Sequence, residues 1–531
     1  MHRPRLAAAA VLALLVVLSA APAAGAQTRP GTSGLVAQAL RALGGRPAVT
    51  GLRAFRLQTT GRTWILDEAP TPGNTPTPAS TFTQTLTWER IPGGDRLRAD
   101  NVRTSQGTAR RITEVVAGRL GYLSGVDANG GSPITAAMTS DRWAAVRREQ
   151  RLLNPQLVLR DVARRPGIAT TLPSTTIDGR RHRVLLVRDE IAPIRLYIDA
   201  RTGAIDRLAT DDHDYQRRDV RILVDFRRWR LSGSGRGRLR FPRSVSLRLD
   251  GVTVHTEVRT SVRVNPPARA ARFRFPAGVT ATYDGALAAR GARTTEWLMS
   301  FAQFGFPKDG PADKIVPVPV APGSTLIQGI ANNSMIVEQS NGIVLVEPAL
   351  DDARAEALIR YVTATYPGKP IRSVIVSHHH ADHAGGVRPF AAIGATVIVH
   401  EDAVPLFQRV LGDRSSRLLP DRLDGTAGAA TLRTVPGSAP LVLSDPLRPV
   451  LAVAEPTSHA TTTILVHVPD TGVLFVNGDT YTPGGPAGPG AASLKRAIQA
   501  NGLNVNWIVG GHGTVVSYSA FLAALAAAPA A

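Results

Sequence analysis

The 531-residue chain contains no cysteine, and that absence closes several routes. No disulfide can staple a domain, so each domain must be stable through its own core. No thiolate can bind a metal, so any metal site must be built from His, Asp or Glu. No lipid-modified cysteine can anchor the chain. Long apolar runs are also missing: beyond the first 18 residues no stretch is long and apolar enough to cross a bilayer. Acidic residues are sparse in one part of the chain. Residues 1–300 carry 47 Lys and Arg against 24 Asp and Glu, whereas residues 301–531 carry 15 against 17. The whole basic excess of +21 therefore belongs to the N-terminal part. A field of that sign suits anionic partners such as lipid headgroups, surface polysaccharide or nucleic acid. The arginines are scattered and form no block, so simple solubility is an equal reading.

The remaining composition, 43% hydrophobic and 19% charged, is that of a globular protein long enough for two or three domains. Residues 1–26 have the form of a secretory signal: basic MHRPR, the apolar run Leu6 to Leu18, and the small-x-small Ala24-Gly25-Ala26. Export to the periplasm or outside is the expectation. Residues 33–44 space their apolar positions as a short helix, and the Pro/Thr-rich residues 69–80 read as an exposed loop. From there to about 280 the pattern is mainly β. Asp250-Gly251 between Ser244–Leu249 and Val252–Val258 is a hairpin signal. Val252, Val254, Thr256 and Val258 share its dry face, and Arg248, His255, Glu257 and Arg259 its wet face. A helical insert is expected at Ser140 to Leu153, burying Trp143, Val146 and Leu153. These strands resemble the half-barrels of periplasmic lipoprotein carriers, a likeness that implies a groove for a lipid or hydrophobic ligand. The plain alternative is a β domain that packs against an enzyme and shapes its site. Residues 281–313 read as a connector.

After residue 314 strands alternate with helices, the texture of a layered α/β domain. Directly after the apolar strand ending at Val376 the chain reads Ser377-His378-His379-His380-Ala381-Asp382-His383. Residues i and i+2 of an extended segment point the same way, so His378 and His380 can hold one metal. The chain then turns, and Asp382 and His383 face a second position. Further candidates follow at strand ends: His459, Asp479 in Asn477-Gly478-Asp479, and His512 in Gly510-Gly511-His512-Gly513. Imidazole and carboxylate suit zinc, with manganese or iron as alternatives. His400 and His467 read as structural, and His379 as supporting or exposed.

In this order, H-x-H-x-D-H, His, Gly-Asp and Gly-His-Gly, residues 314–531 resemble the metallo-β-lactamase superfamily of hydrolases. The resemblance implies a four-layered αβ/βα sandwich holding two zinc ions. His378, His380 and His459 would bind the first, Asp382, His383 and His512 the second, and Asp479 would bridge them. It implies that a metal-bound hydroxide, oriented by Asp382, attacks the substrate, with Tyr481 a candidate for steadying the oxyanion. Where the family has Asp after an early strand, this chain has Glu347, a position expected to support a ligand. The true β-lactamases lack the bridging Asp, so the expected substrate is a small ester, lactone or related carboxyl derivative. No basic track in this half points to nucleic acid. Two alternatives stand beside this: a dioxygenase of the same fold with a single iron, and an envelope lipid-binding protein with a secondary metal site. Gly484 to Gly490 is either a lip over the site or a plain connector. Oligomeric state is not readable.

Overall fold

The computed structural model describes residues 30–66, 68–73, 75–105, 107–126, 132–267, 269–293, 314–416 and 418–528. The signal expected at 1–26 and residues 294–313 of the connector lie outside the described residues.

The N-terminal half is built on one antiparallel sheet. Its strands are β1 (Ala54–Ile65), β2 (Thr77–Ile91), β3 (Gly94–Ser105), β4 (Thr108–Ala117), β5 (Leu120–Gly125), β6 (Ile134–Ala137) and β7 (Ala169–Ile177). They continue with β8 (Arg180–Val187), β9 (Ile194–Asp199), β10 (Ile205–Asp214), β11 (Arg218–Ser232), β12 (Leu239–Leu249) and β13 (Val252–Val264). The order across the sheet is β6-β5-β4-β3-β2-β1-β13-β12-β11-β10-β9-β8-β7. Two meanders thus meet where β1 pairs with β13, and the sheet stays open. Between β12 and β13, Asp250 and Gly251 take φ 45 and 88, the left-handed pair that a tight two-residue hairpin turn needs.

Helices α1 (Pro30–Leu43), α2 (Arg46–Thr50), α3 (Ser140–Leu153) and α4 (Pro155–Arg164) cover one face of this sheet. The core lies between them and the strands, where Leu35, Leu40, Val49, Leu153, Val158 and Val162 meet Phe55, Leu57, Trp88, Leu196, Val224 and Phe241. Phe55 stacks on Trp88 at 5.2 Å and meets Phe241 edge-on at 5.6 Å, contacts each contributing about 0.5–1.5 kcal/mol beyond area burial. The helical insert falls at Ser140–Leu153 with Trp143, Val146 and Leu153 buried. A short α5 (Gly285–Gly291) packs against α3.

Val254 is 1% exposed and Val252 packs against the same core as expected, but from residue 255 onward the faces of β13 are the reverse of the sequence expectation, after a register shift against β12 between Leu247 and Arg248 that passes over Val254. His255, Glu257 and Arg259 are 7%, 4% and 2% exposed, while Val258 is 47% exposed. Helix α3 supplies the reason, because it brings charge and unpaired carbonyls to this face. The Arg259 guanidinium donates to the Leu153 carbonyl at the end of α3 (2.8 Å) and to Glu257 (2.8 Å). It thereby satisfies an acceptor that a buried helix end would otherwise leave open. Arg142 of α3 pairs with Glu114 of β4 at 2.8 Å, both nearly sealed from water. Some of the domain's arginines are thus buried in ion pairs.

The C-terminal half holds two further sheets. The first contains β14 (Val316–Ala321), β15 (Ser324–Gln328), β16 (Ser334–Glu338), β17 (Ile343–Val346), β18 (Ile371–Ile375), β19 (Thr396–His400) and β20 (Leu432–Val435), in that order. The second contains β21 (Leu441–Leu443), β22 (Val450–Ala454), β23 (Ile464–Val468), β24 (Val473–Val476), β25 (Trp507–Gly510) and β26 (Val516–Ser517), again in order. Strand alternation divides their side chains. Met335, Val344, Val346, Val466 and Phe475 form a core shared by both sheets. Ile336, Leu345 and Val374 pack on α6 (Asp352–Thr365), α8 (Val387–Ala392) and α9 (Val404–Gly412), where Leu358, Phe390 and Phe407 are buried; a one-turn α7 (Ala381–Ala384) precedes α8. Leu465, Leu474 and Ile508 pack on α10 (Pro489–Ala500) and α11 (Tyr518–Ala527). Strands β17, β18 and β19 run parallel, as do β24 and β25, so several carboxyl ends face one edge. Ligand sites of α/β sheets form at that edge.

Two reaches of the β domain grip the second half. Arg218, at the start of β11, pairs with Asp421 (3.0 Å) and Asp424 (2.6 Å), which Arg388 holds from the other side. The Pro/Thr-rich connection between β1 and β2 is not wholly exposed: Ala69 is 3% exposed, and the Pro70 carbonyl accepts from the Thr461 amide at 2.8 Å.

Candidate metal centre

The donors lie in the loops and the single helical turn that follow strands of the two sheets. His378 follows β18, with His380 in extended backbone (φ −63, ψ 147) before the single turn of α7 that carries Asp382 and His383. Asp479 follows β24, His512 follows β25, and His459 lies in the link from β22 to β23. Gly478 takes φ 91, and a Cβ there would lie 2.4 Å from the His512 amide nitrogen, so a glycine lets the Asp479 and His512 loops close on each other.

The structure brings the seven residues together. Ligand atoms of His378, His380 and His459 lie within 4.8 Å of one another, as do those of Asp382, His383 and His512, and those of His378, His383 and Asp479. One oxygen of Asp479 is 3.8 Å from His378 Nε2, 3.5 Å from His459 Nε2 and 3.0 Å from His383 Nε2, and the other is 3.5 Å from His512 Nε2. Two donors of one tetrahedral zinc, with bonds near 2.05 Å, stand roughly 3.3 Å apart. The spacings around Asp479 are of that size.

The ring nitrogens sort into two sets. His378 Nδ1 bonds the Ser377 hydroxyl (3.0 Å), His380 Nε2 the Ala69 carbonyl (3.0 Å), His512 Nδ1 the Ala331 carbonyl (3.0 Å), and His383 Nδ1 the Glu347 carboxylate. Such partners fix which nitrogen is left for a metal. The buried nitrogens His378 Nε2, His380 Nδ1 and His459 Nε2 have no hydrogen-bond partner. Three orphaned acceptors converging on one point fit a cation, since buried polar atoms otherwise find partners.

The electrostatics separate the two triads. Burial, then neighbouring imidazoles, holds His378 far below the usual histidine value and His380 at about 3. Burial also lowers His459. All three keep a free lone pair at neutral pH. Burial works against charge on His383 too, but Asp382, Glu347 and Asp479 outweigh it and hold its imidazole well above the usual value. Asp479 stays ionised against burial, chiefly through His383. A proton on His383 thus stands where a second cation would.

The other expected positions are placed as follows. Glu347 is fully buried behind His383, as a supporting position. His379 is buried at 2% exposure, bonding Thr462 Oγ1 (2.7 Å) and the Ala69 carbonyl (3.0 Å). His400 accepts from the Asp402 amide (3.1 Å), and His467 bonds the Asn504 carbonyl (2.9 Å). The Tyr481 ring packs edge-on against Phe521 at 5.0 Å within the core under α10 and α11. Of the glycine-rich stretch, Gly490 lies inside the first turn of α10. Sequence reading missed Glu68, Ala69 and Gln216 of the β domain. The Gln216 amide donates to the His379 carbonyl at 2.7 Å, and Glu68 Oε2 lies 3.4 Å from His380 Nδ1. No local pattern marks them, because their role depends on domain docking.

The metallo-β-lactamase superfamily model matches residues 327–512. A linear primary-alkylsulfatase from Pseudomonas sp. is 39% identical over 57 residues, which is 11% of this chain and 8% of that protein. Among solved structures, the stereoselective inverting sec-alkylsulfatase of Pseudomonas sp. aligns at 16% identity and TM-score 0.30, over 40% of each chain. A mono-zinc metallo-β-lactamase of Pseudomonas aeruginosa aligns at 19% identity and TM-score 0.31, over 41% of this chain and 96% of its own.

Proposed function

Residues 327–512 being a metallo-β-lactamase superfamily domain, we propose that the protein is a two-metal hydrolase of an ester, lactone or related carboxyl derivative. The observation that carries this is Asp479, whose carboxylate lies within 3.0–3.8 Å of imidazoles from both triads. A pair of divalent ions in such a cluster, zinc being the expected one, supplies an acidified water and a Lewis acid for the scissile oxygen. The chain supplies the rest. His378, His380 and His459 offer neutral nitrogens on one side, and Asp382, His383 and His512 a charged set on the other. Asp382 is 6% exposed and accepts a bond from the Asn332 amide at 3.2 Å, so one oxygen is fixed while the carboxylate can orient the nucleophile and hold its proton. The side chains of His459, Asp479 and His512 are 31%, 25% and 20% exposed, which makes that side the entrance for substrate.

The local likeness to an alkylsulfatase adds sulfate esters to the substrates worth testing. The test is a screen of the zinc-loaded chain against carboxyl esters, lactones, thioesters, phosphodiesters, sulfate esters and β-lactams. Turnover of an ester or lactone, abolished in Asp382→Ala and Asp479→Ala, is expected. One iron per chain with oxygen uptake would overturn the hydrolase reading in favour of a dioxygenase. Export is part of the proposal, and sequencing the N-terminus of the protein recovered outside the cytoplasm tests it.

A further inference from the structure

Along β1 the residues that alternate with the buried Phe55 and Leu57 are Arg56, Gln58, Thr60 and Arg62, which therefore look away from the helices. Strand register carries this open face across the sheet from β13 to β5. Val258, Thr60, Thr83, Val102 and Arg111 form one row, and Thr256, Arg62, Thr81 and Thr104 the next. On the other side of the first row lie Gln58, Thr85, Asp100, Thr113 and Ser124. The rows line two adjoining hollows of about 440 and 630 Å³, which share Thr60, Thr83 and Val102. Alcohols, amides and guanidiniums dominate them.

One row further along β1 the trough ends in positive charge. Arg56 stands directly opposite Arg263, a pairing of like charges that weakens a sheet unless something compensates it. The segment after β13 is held over this face, where Arg98 donates to the Arg272 carbonyl at 3.1 Å. Burial, then Arg272 and Arg263, lowers Arg56 from its ordinary value, yet a guanidinium cannot relieve the crowding by shedding its proton. Arg56 Nε is buried with no hydrogen-bond partner. The carboxylate at hand, Asp100, is already engaged by Arg98 at 3.0 Å and by Thr113 at 2.9 Å. Among the described residues no carboxylate pairs with Arg56, Arg62, Arg111 or Arg263.

We propose that this face binds an anionic glycan, a polyol chain bearing carboxylate or sulfate groups, with its hydroxyls on the threonine rows and one anionic group between Arg56 and Arg263. The six-residue step from Arg56 to Arg62 spans about 20 Å of strand, which suits an oligomer rather than a single small anion. The acyl-chain groove implied by the carrier likeness would need an apolar lining, because hydroxyls are costly to bury without partners. Single-stranded nucleic acid would need open aromatic platforms. Phe82, the aromatic among the lining residues, stacks instead on His255 at 5.4 Å. None of the residues invoked is a candidate metal donor, so the proposal stands or falls apart from the hydrolase reading.

The test titrates the full chain with oligogalacturonate, dextran sulfate, neutral dextran, oligo-dT and phosphatidylglycerol vesicles, followed by calorimetry. Two double variants separate a built site from the domain's general basic charge. Arg56→Gln with Arg263→Gln removes the opposed pair, and Arg188→Gln with Arg201→Gln removes two exposed charges elsewhere in the same domain. Both anionic glycans should bind more tightly than neutral dextran. The first variant should bind them about tenfold more weakly or worse, and the second within about twofold of wild type. Thr60→Val with Thr83→Val should weaken binding while leaving the charge intact. Without ligand, the first variant should melt no lower than wild type, since a like-charge contact is gone. Equal losses in the two charge variants, or oligo-dT or vesicles bound more tightly than the glycans, would overturn the proposal. So would a lower melting temperature in the first variant, which would assign the arginine pair to stability.

Discussion

Replacing Arg218 by Met removes one positive charge from a sealed cluster that joins the two halves. The cluster contains two guanidinium groups, Arg218 and Arg388, at 2% and 0% side-chain exposure, and two carboxylates, Asp421 and Asp424, at 4% and 10%. It is balanced as it stands. Without Arg218 it holds one uncompensated negative charge, and nearby Asp352, whose carboxyl is pushed up to about 8 mainly by burial and by Asp421, leaves no room for more. Breaking a buried pair in this way costs about 3–5 kcal/mol. Methionine retains most of the side-chain stem, so lost packing adds little. With a urea dependence of about 2–3 kcal/mol per molar for a domain of this size, the midpoint of the second half should fall by roughly 1–2 M. Gln216, two residues earlier, clasps the His379 carbonyl, so the variant should also release metal faster to a chelator. Urea unfolding followed by circular dichroism, with chelator kinetics on the same samples, measures both. A midpoint within 0.3 M of wild type, with unchanged metal release, would refute the claim that this cluster couples docking to the site.

Three further outcomes are expected. Glu347→Gln keeps a hydrogen bond to His383 but removes the charge behind it, so the second metal should bind 10–100-fold more weakly in a chelator competition; equal affinity would deny Glu347 that role. Gly478→Ala puts a Cβ at φ 91 and 2.4 Å from the His512 amide nitrogen, so bound metal should fall below one equivalent while the β domain keeps its circular dichroism. Glu149, half-buried in α3, has its carboxyl pushed up to about 8 by burial and then by Glu114 and Glu257. A carboxyl raised on folding stabilises the chain while protonated, fully below its ordinary value of 4.5 and progressively less as pH climbs through 8. Wild type should therefore lose on the order of 2 kcal/mol between pH 5 and pH 9, discounted for partial exposure, and Glu149→Gln should not; parallel pH profiles would count against this.

What was legible in the sequence was local. His378 to His383 declared itself because an extended run and a single turn suffice to aim four side chains. The strands of the second half could be read because their apolar runs are bounded by turns. The Asp250-Gly251 hairpin needed only its own two residues. What could not be read depended on partners far along the chain. Period-2 alternation in β13 divides His255, Glu257 and Arg259 from Val258 but does not say which set faces inward. That is decided by α3, whose terminal carbonyl Arg259 satisfies. The Pro/Thr-rich loop after β1 has the composition of an exposed connection, and only docking buries Ala69 against two histidines. Tyr481 lies two residues from Asp479, yet chain proximity does not fix side-chain direction, and its ring turns into the core beside Phe521.

The central claim is a paired-metal centre bridged by Asp479, and metal stoichiometry tests it most directly. The full chain, loaded with zinc and washed with a weak chelator, should hold two equivalents by elemental analysis. His512→Ala should retain one, and Asp479→Ala fewer than wild type. A single equivalent in wild type that His512→Ala leaves unchanged would contradict the account.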